Sequence, residues 1–153
     1  MSTAPESLGE IELSYVSDAP RIGPAGASWL PYLGSGEGRV LSGTLRGRVR
    51  FSTFEDDLSG QPCLVSGVGR CALHVTAIVD TDDSAQVRIE ALGYAVRAEG
   101  TRWQTTLGVR AASDDPRYAW LGSRSLSWLG EFDEASGTVS AGLFLAQGPN
   151  ECA

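Results

Sequence analysis

The stretch 70–91 constrains this chain most. Leu73, Val75, Ala77 and Val79 are apolar at every second position, Asp80-Thr81-Asp82-Asp83-Ser84 interrupts them, and Val87, Ile89 and Ala91 resume the alternation. A period of two puts successive side chains on opposite faces of a strand, and a polar break between two such runs predicts an antiparallel hairpin. Matching the two apolar faces sets the register: Val75 opposite Ala91, Ala77 opposite Ile89, Val79 opposite Val87. A slip of one residue would turn every apolar side chain to the wrong face. The second face then holds His74 opposite Leu92 and Thr76 opposite Glu90, with Glu90 and Tyr94 as diagonal neighbours of His74 and Arg88 further along.

Similar alternation recurs along the chain. Ile11, Leu13 and Tyr15 predict a first strand over about 9–16. Leu41, Leu45, Val49 and Phe51 share one face of a strand beginning near Val40, with Arg46, Arg48 and Arg50 on the other. Trp103, Thr105, Leu107 and Val109 predict another, followed by strands at Leu126–Phe132 and Val139–Leu145. No long amphipathic helix is evident, and 19 Gly with 7 Pro suit many tight turns. At 153 residues the chain has the size of one domain. We expect a flexible N-terminus over 1–8, a single all-β domain over 9–147 with a long loop at 17–38, and a tail over 148–153. Seven or eight antiparallel strands fit a barrel or a sandwich. A closed barrel is preferred because strands this long would otherwise present exposed edges.

The net charge of -7 disfavours nucleic acid and anionic lipid as partners. The N-terminal residues lack the basic and apolar regions of a signal peptide, and no apolar run is long enough to span a membrane. Cys63, Cys71 and Cys152 are odd in number and lack zinc-site spacing, so reduced thiols and a cytoplasmic location are expected. Asp80, Asp82 and Asp83 do not form a calcium loop and read as turn residues. Gly67-Val68-Gly69 lacks the rest of a dinucleotide loop. Neither a metal nor a cofactor is therefore expected.

The lone His74 shares its sheet face with a carboxylate, a phenol and a guanidinium, a set able to move a proton near neutral pH. His74, Glu90 and Tyr94 are thus the candidate catalytic residues. Arg48, Arg50 and Arg88 are candidates for anchoring a substrate, with Trp29, Tyr32, Trp103 and Trp120 as apolar walls. The alternative is that this face is simply the wet outside of the barrel.

The segment Asp115-Pro116-Arg117-Tyr118-Ala119-Trp120-Leu121 resembles the Pro-x-Tyr-x-Trp-Leu element of the DUF3237 (UPF0311) family. The hairpin Leu73–Gly93, with Thr81-Asp82-Asp83 at its turn, resembles that family's central region, and Gly38–Gly47 its Gly-rich early strand. The resemblance implies a calycin- or lipocalin-like closed antiparallel β-barrel with an internal cavity. In the family pattern an acidic residue stands at the position of His74, an Arg near Thr76, and an Asn where this chain has Gly122. Together these readings lead us to expect a cofactor-free cyclase, isomerase or dehydratase acting on a hydrophobic oxygenated small molecule, with a homodimer allowed. The rival expectation is a non-catalytic binding or carrier barrel.

Overall fold

The computed structural model describes residues 6–22, 32–55 and 70–145. Eight strands follow one another around a closed antiparallel barrel: β1 (Glu6–Tyr15), β2 (Tyr32–Val40), β3 (Gly47–Glu55), β4 (Arg70–Thr81), β5 (Gln86–Glu99), β6 (Arg102–Ala112), β7 (Leu126–Asp133) and β8 (Thr138–Leu145). Each strand pairs with its sequence neighbour, and β8 returns to β1, so no edge is left open.

The hairpin β4–β5 has the register its hydrophobic pattern predicts. Val75 opposes Ala91, Ala77 opposes Ile89, Val79 opposes Val87, His74 opposes Leu92 and Thr76 opposes Glu90. Val75, Ala77, Val79, Val87, Ile89 and Ala91 all enter the core. At the turn, Thr81 Oγ1 accepts from Ala85 N at 2.8 Å, and Ser84 takes a positive φ of 72°.

The region before Phe51 differs from its sequence reading. What looked like one strand from Val40 is the end of β2, a turn over 41–46, and β3. The stretch 17–38 is correspondingly not one loop, since β2 begins at Tyr32. The physical reason lies in glycine. Gly36 faces the barrel interior, and a Cβ there would lie 1.9 Å from Ser14 O and 2.8 Å from the Phe51 ring. Before Val40 the strand's inward positions, Gly34, Gly36 and Gly38, therefore carry no apolar signal. Gly43 turns the chain with φ +82°, a conformation a side chain resists.

One end of the barrel is packed shut. Leu8, Val40, Leu45, Val79, Val87 and Leu143 are fully buried there or in the adjoining core, each such side chain contributing about 1.5–3 kcal/mol. The β6–β7 connection, which contains the 3-10 turn Ala119–Ser123, adds Tyr118 and Leu121 to this core. Tyr118 O–H donates to Asp83 at 2.7 Å, and Arg117 binds both Asp115, at 2.8 Å, and the Asp83 carbonyl, at 2.9 Å. Two of the three segments that carry the DUF3237 resemblance, 115–121 and the turn of the Leu73–Gly93 hairpin, thus touch one another at the closed end.

Candidate functional site

At the opposite end the inward side chains leave a cavity of about 30 Å³, room for roughly two water-sized groups. It is lined by Leu13, Tyr15, Phe51, Thr53, Leu73 and Phe132, with Val75, Leu107 and Trp128 beneath. Tyr15 meets the rings of Phe51 and Phe132 edge-on at centroid distances of 5.1 and 5.4 Å. Its hydroxyl is 3.0 Å from Thr53 Oγ1, which donates to Gly34 O at 3.2 Å. Burial pushes the Tyr15 phenol up to about 12, against the smaller opposing effect of the Thr53 hydrogen bond. The walls are otherwise apolar, and Trp128 Nε1–H is satisfied by Thr105 Oγ1 at 3.2 Å.

Glu55 is not itself a lining residue, but it stands one inward position beyond Thr53 and pairs with Leu73, which both line the cavity, so it shares their face of the sheet. It is only 4% exposed, and its Oε1 is buried without a hydrogen-bond partner among the described residues. Leaving a carboxylate oxygen dry and unpaired costs free energy that a bound donor would recover. In the sequence Glu55 opens the acidic run Glu55-Asp56-Asp57, a pattern that reads as a polar turn. The signal that could have found it is its place in the Val49, Phe51, Thr53 alternation.

Cys71 also lines the cavity and is disulfide-bonded, which corrects the expectation of reduced thiols. Cys63 and Cys152 lie outside the described residues. Disulfides are rare in reducing compartments, so the cytoplasmic expectation loses the support it drew from free thiols. No helix among the described residues is long and apolar enough to cross a membrane. Among the same residues no three His, Cys, Asp or Glu side chains gather as metal ligands would.

The candidate residues from the sequence sit elsewhere. None of those among the described residues lines the cavity. His74 and Glu90 do meet, Nε2 to Oε1 at 2.7 Å, and Thr76 donates to the same oxygen at 3.2 Å. Arg88 Nε lies 3.4 Å from Glu90 Oε2. These side chains project from the outer face of β4 and β5, with the barrel wall between them and the cavity. That face is nevertheless not simply wet, because His74 is 7% exposed and Thr76 and Phe54 are fully buried. Part of the reason is the start of the β1–β2 connection, whose Arg21 and Ile22 lie against the outer face of β3. Ile22 N–H donates to Ser52 Oγ at 2.7 Å, and the Arg21 guanidinium lies 4.4 Å from the Tyr32 ring centre and 5.3 Å from that of Phe54.

The remaining candidates are dispersed. Among the described residues no hydrogen bond or ring contact joins Tyr94 to His74; Tyr94 is half exposed under the Arg70 guanidinium, 4.9 Å from its ring centre. Arg50 pairs with Asp80 at 3.4 Å and Arg48 with Glu37 at 3.7 Å, both in solvent. Tyr32 O–H joins a chain of hydroxyls through Ser35 to Ser52, with 2.6 Å at each step. Trp103 is fully buried at the cavity end beside Cys71 and Ala95, its indole N–H donating to Glu134 and its face covered by Arg97. Trp120 is exposed on the closed end. Trp29 lies outside the described residues.

Solved structures share this architecture. A beta-barrel-like protein from Acinetobacter baumannii aligns over 93% of this chain and 94% of its own, with a TM-score of 0.60 and 14% identity. A protein of unknown function from Clostridium acetobutylicum aligns over 95% and 100%, with a TM-score of 0.63 and 12% identity. A conserved protein of unknown function from Rhodopseudomonas palustris gives 95% and 98%, a TM-score of 0.59 and 15% identity. At such identities the likeness is one of fold. No protein-family model and no curated protein matches the sequence, so the resemblance to DUF3237 rests on its short motifs alone.

Proposed function

We propose that this protein is a small-molecule-binding barrel whose ligand enters the Tyr15–Phe132 end with an apolar tail and a protonated amine at the rim. The observation that carries this reading is the buried Glu55, whose Oε1 has no hydrogen-bond partner among the described residues, one inward position beyond the cavity-lining Thr53. An ammonium would satisfy that oxygen with a charge-assisted hydrogen bond, while the niche accepts the slim end of an alkyl chain. The limited volume favours small or narrow ligands. Binding without chemistry is preferred over cyclase or isomerase action because the His74–Glu90 couple faces away from the cavity. A proton transferred between that couple and a cavity ligand would have to cross the β4–β5 wall.

The test is titration of the full chain with n-butylamine and, separately, n-butanol, followed by amide chemical shifts. The amine is expected to perturb Thr53, Leu73 and Tyr15, and Glu55→Gln to weaken it roughly tenfold, about 1.4 kcal/mol. Equal affinity for alcohol and amine, or shifts that avoid these residues, would overturn the reading.

A further inference from the structure

Four large apolar side chains stand outside the barrel on one continuous face. Leu92, Tyr94, Val96 and Leu129 are each between 46% and 50% exposed. The pairing of β5, β6 and β7 arranges their outward positions in rows across the sheet. From the cavity end these are Val96–Gln104–Glu131, Tyr94–Thr106–Leu129, Leu92–Gly108–Ser127, and a last row holding Glu90 and Arg110. Apolar groups fill the middle, small residues flatten it, and charge sits at the two ends. Arg110 and Glu131 are exposed, and neither has an ion pair or side-chain hydrogen bond among the described residues.

We propose that this face is the interface with a second copy of the chain, around a two-fold axis running across the strands. Contiguous exposed apolar groups ringed by polar ones mark association surfaces, and a symmetric dimer must oppose a face to itself. The charges choose between the two simple axes. An axis along the strands leaves each row facing itself, so Arg110 opposes Arg110. An axis across the strands, between the Tyr94–Leu129 and Leu92–Ser127 rows, exchanges the end rows. Glu131 then reaches the row of the partner's Arg110, displaced sideways by one strand spacing of about 4.8 Å, and the pair forms twice. Leu92 packs on the partner's Tyr94 at the centre, where an aromatic anchor is most effective.

Sedimentation equilibrium of the full chain, with charge-swapped variants, tests this. The wild type is expected to dimerise at micromolar concentration. Arg110→Glu and Glu131→Arg should each raise the dissociation constant at least about tenfold, and the double swap should restore it. Leu129→Arg should give a monomer whose far-ultraviolet circular dichroism matches the wild type. A wild-type monomer at about 200 µM overturns the proposal, as does a dimer indifferent to all four variants. A dimer broken by each single swap but not restored by the double swap rejects the axis. Because Arg110, Glu131 and Leu129 are exposed, loss of fold is not expected, and the circular dichroism spectrum checks it for each.

Discussion

Tyr15 is the residue where burial and chemistry meet most directly. Its phenol is held neutral by desolvation in the cavity wall, with an ionisation pushed up to about 12. A tyrosine in the unfolded chain ionises near 10, so the fold favours the protonated form. That preference contributes its full stability below about pH 10 and is lost as pH rises from there through about 12. Thermal unfolding across this window should show a falling midpoint, and Tyr15→Phe should flatten the slope between pH 10 and 12 while losing the bond to Thr53. An unchanged slope in Tyr15→Phe would assign the alkaline limb to another group. Single residues were unevenly legible from sequence. His74 and Glu90 could be brought together because strand register is set by hydrophobic pattern, and they lie 2.7 Å apart. Which face of the hairpin lines the cavity was open to two readings in the sequence, and the buried outer face near His74 depends on a connection that crosses from another part of the chain.

Among the strands, β2 shows where pattern reading stops. A strand whose inward positions are glycine carries no hydrophobic period, so Tyr32–Val40 looked like loop, and the stronger pattern from Val40 to Phe51 absorbed the turn over 41–46. The hairpin β4–β5 was legible because its inward face is apolar throughout. The glycines are needed for close approach of β1 and β3, which gives a direct test. Gly36→Ala would put a methyl 1.9 Å from a backbone oxygen, and Ser14 O cannot move without shifting β1. We expect a loss of about 2–4 kcal/mol in urea unfolding. Gly122→Ala, whose new Cβ would meet only Ala111 O at 4.0 Å, should stay within about 0.5 kcal/mol of the wild type. Similar losses for both would mean that backbone freedom, rather than crowding inside the barrel, is what Gly36 supplies.

For the whole molecule, closure joins the most local and the most distant contacts in one sheet. Neighbouring strands pair across connections far shorter than the chain, whereas β1 must find β8 across almost its entire length. Loop-closure entropy opposes that last pairing until the intervening strands are in place. The hairpin β4–β5 has the longest strands, at 12 and 14 residues, and a turn already ordered by Thr81 and Asp83. It is therefore the natural nucleus, and the β1–β8 seam should form late. Ile89→Val removes one methylene from the hairpin's buried face and should cost about 0.5–1.5 kcal/mol, mostly by slowing folding. Leu143→Ala opens a cavity beside the seam and should cost about 2–5 kcal/mol, mostly by speeding unfolding. Chevron plots of both variants, recorded below the concentration at which the chain associates, separate the two limbs. A Leu143→Ala variant that slows folding in proportion to its loss of stability would place the closing seam inside the transition state. The barrel would then condense as a ring from the outset rather than grow outward from its central hairpin.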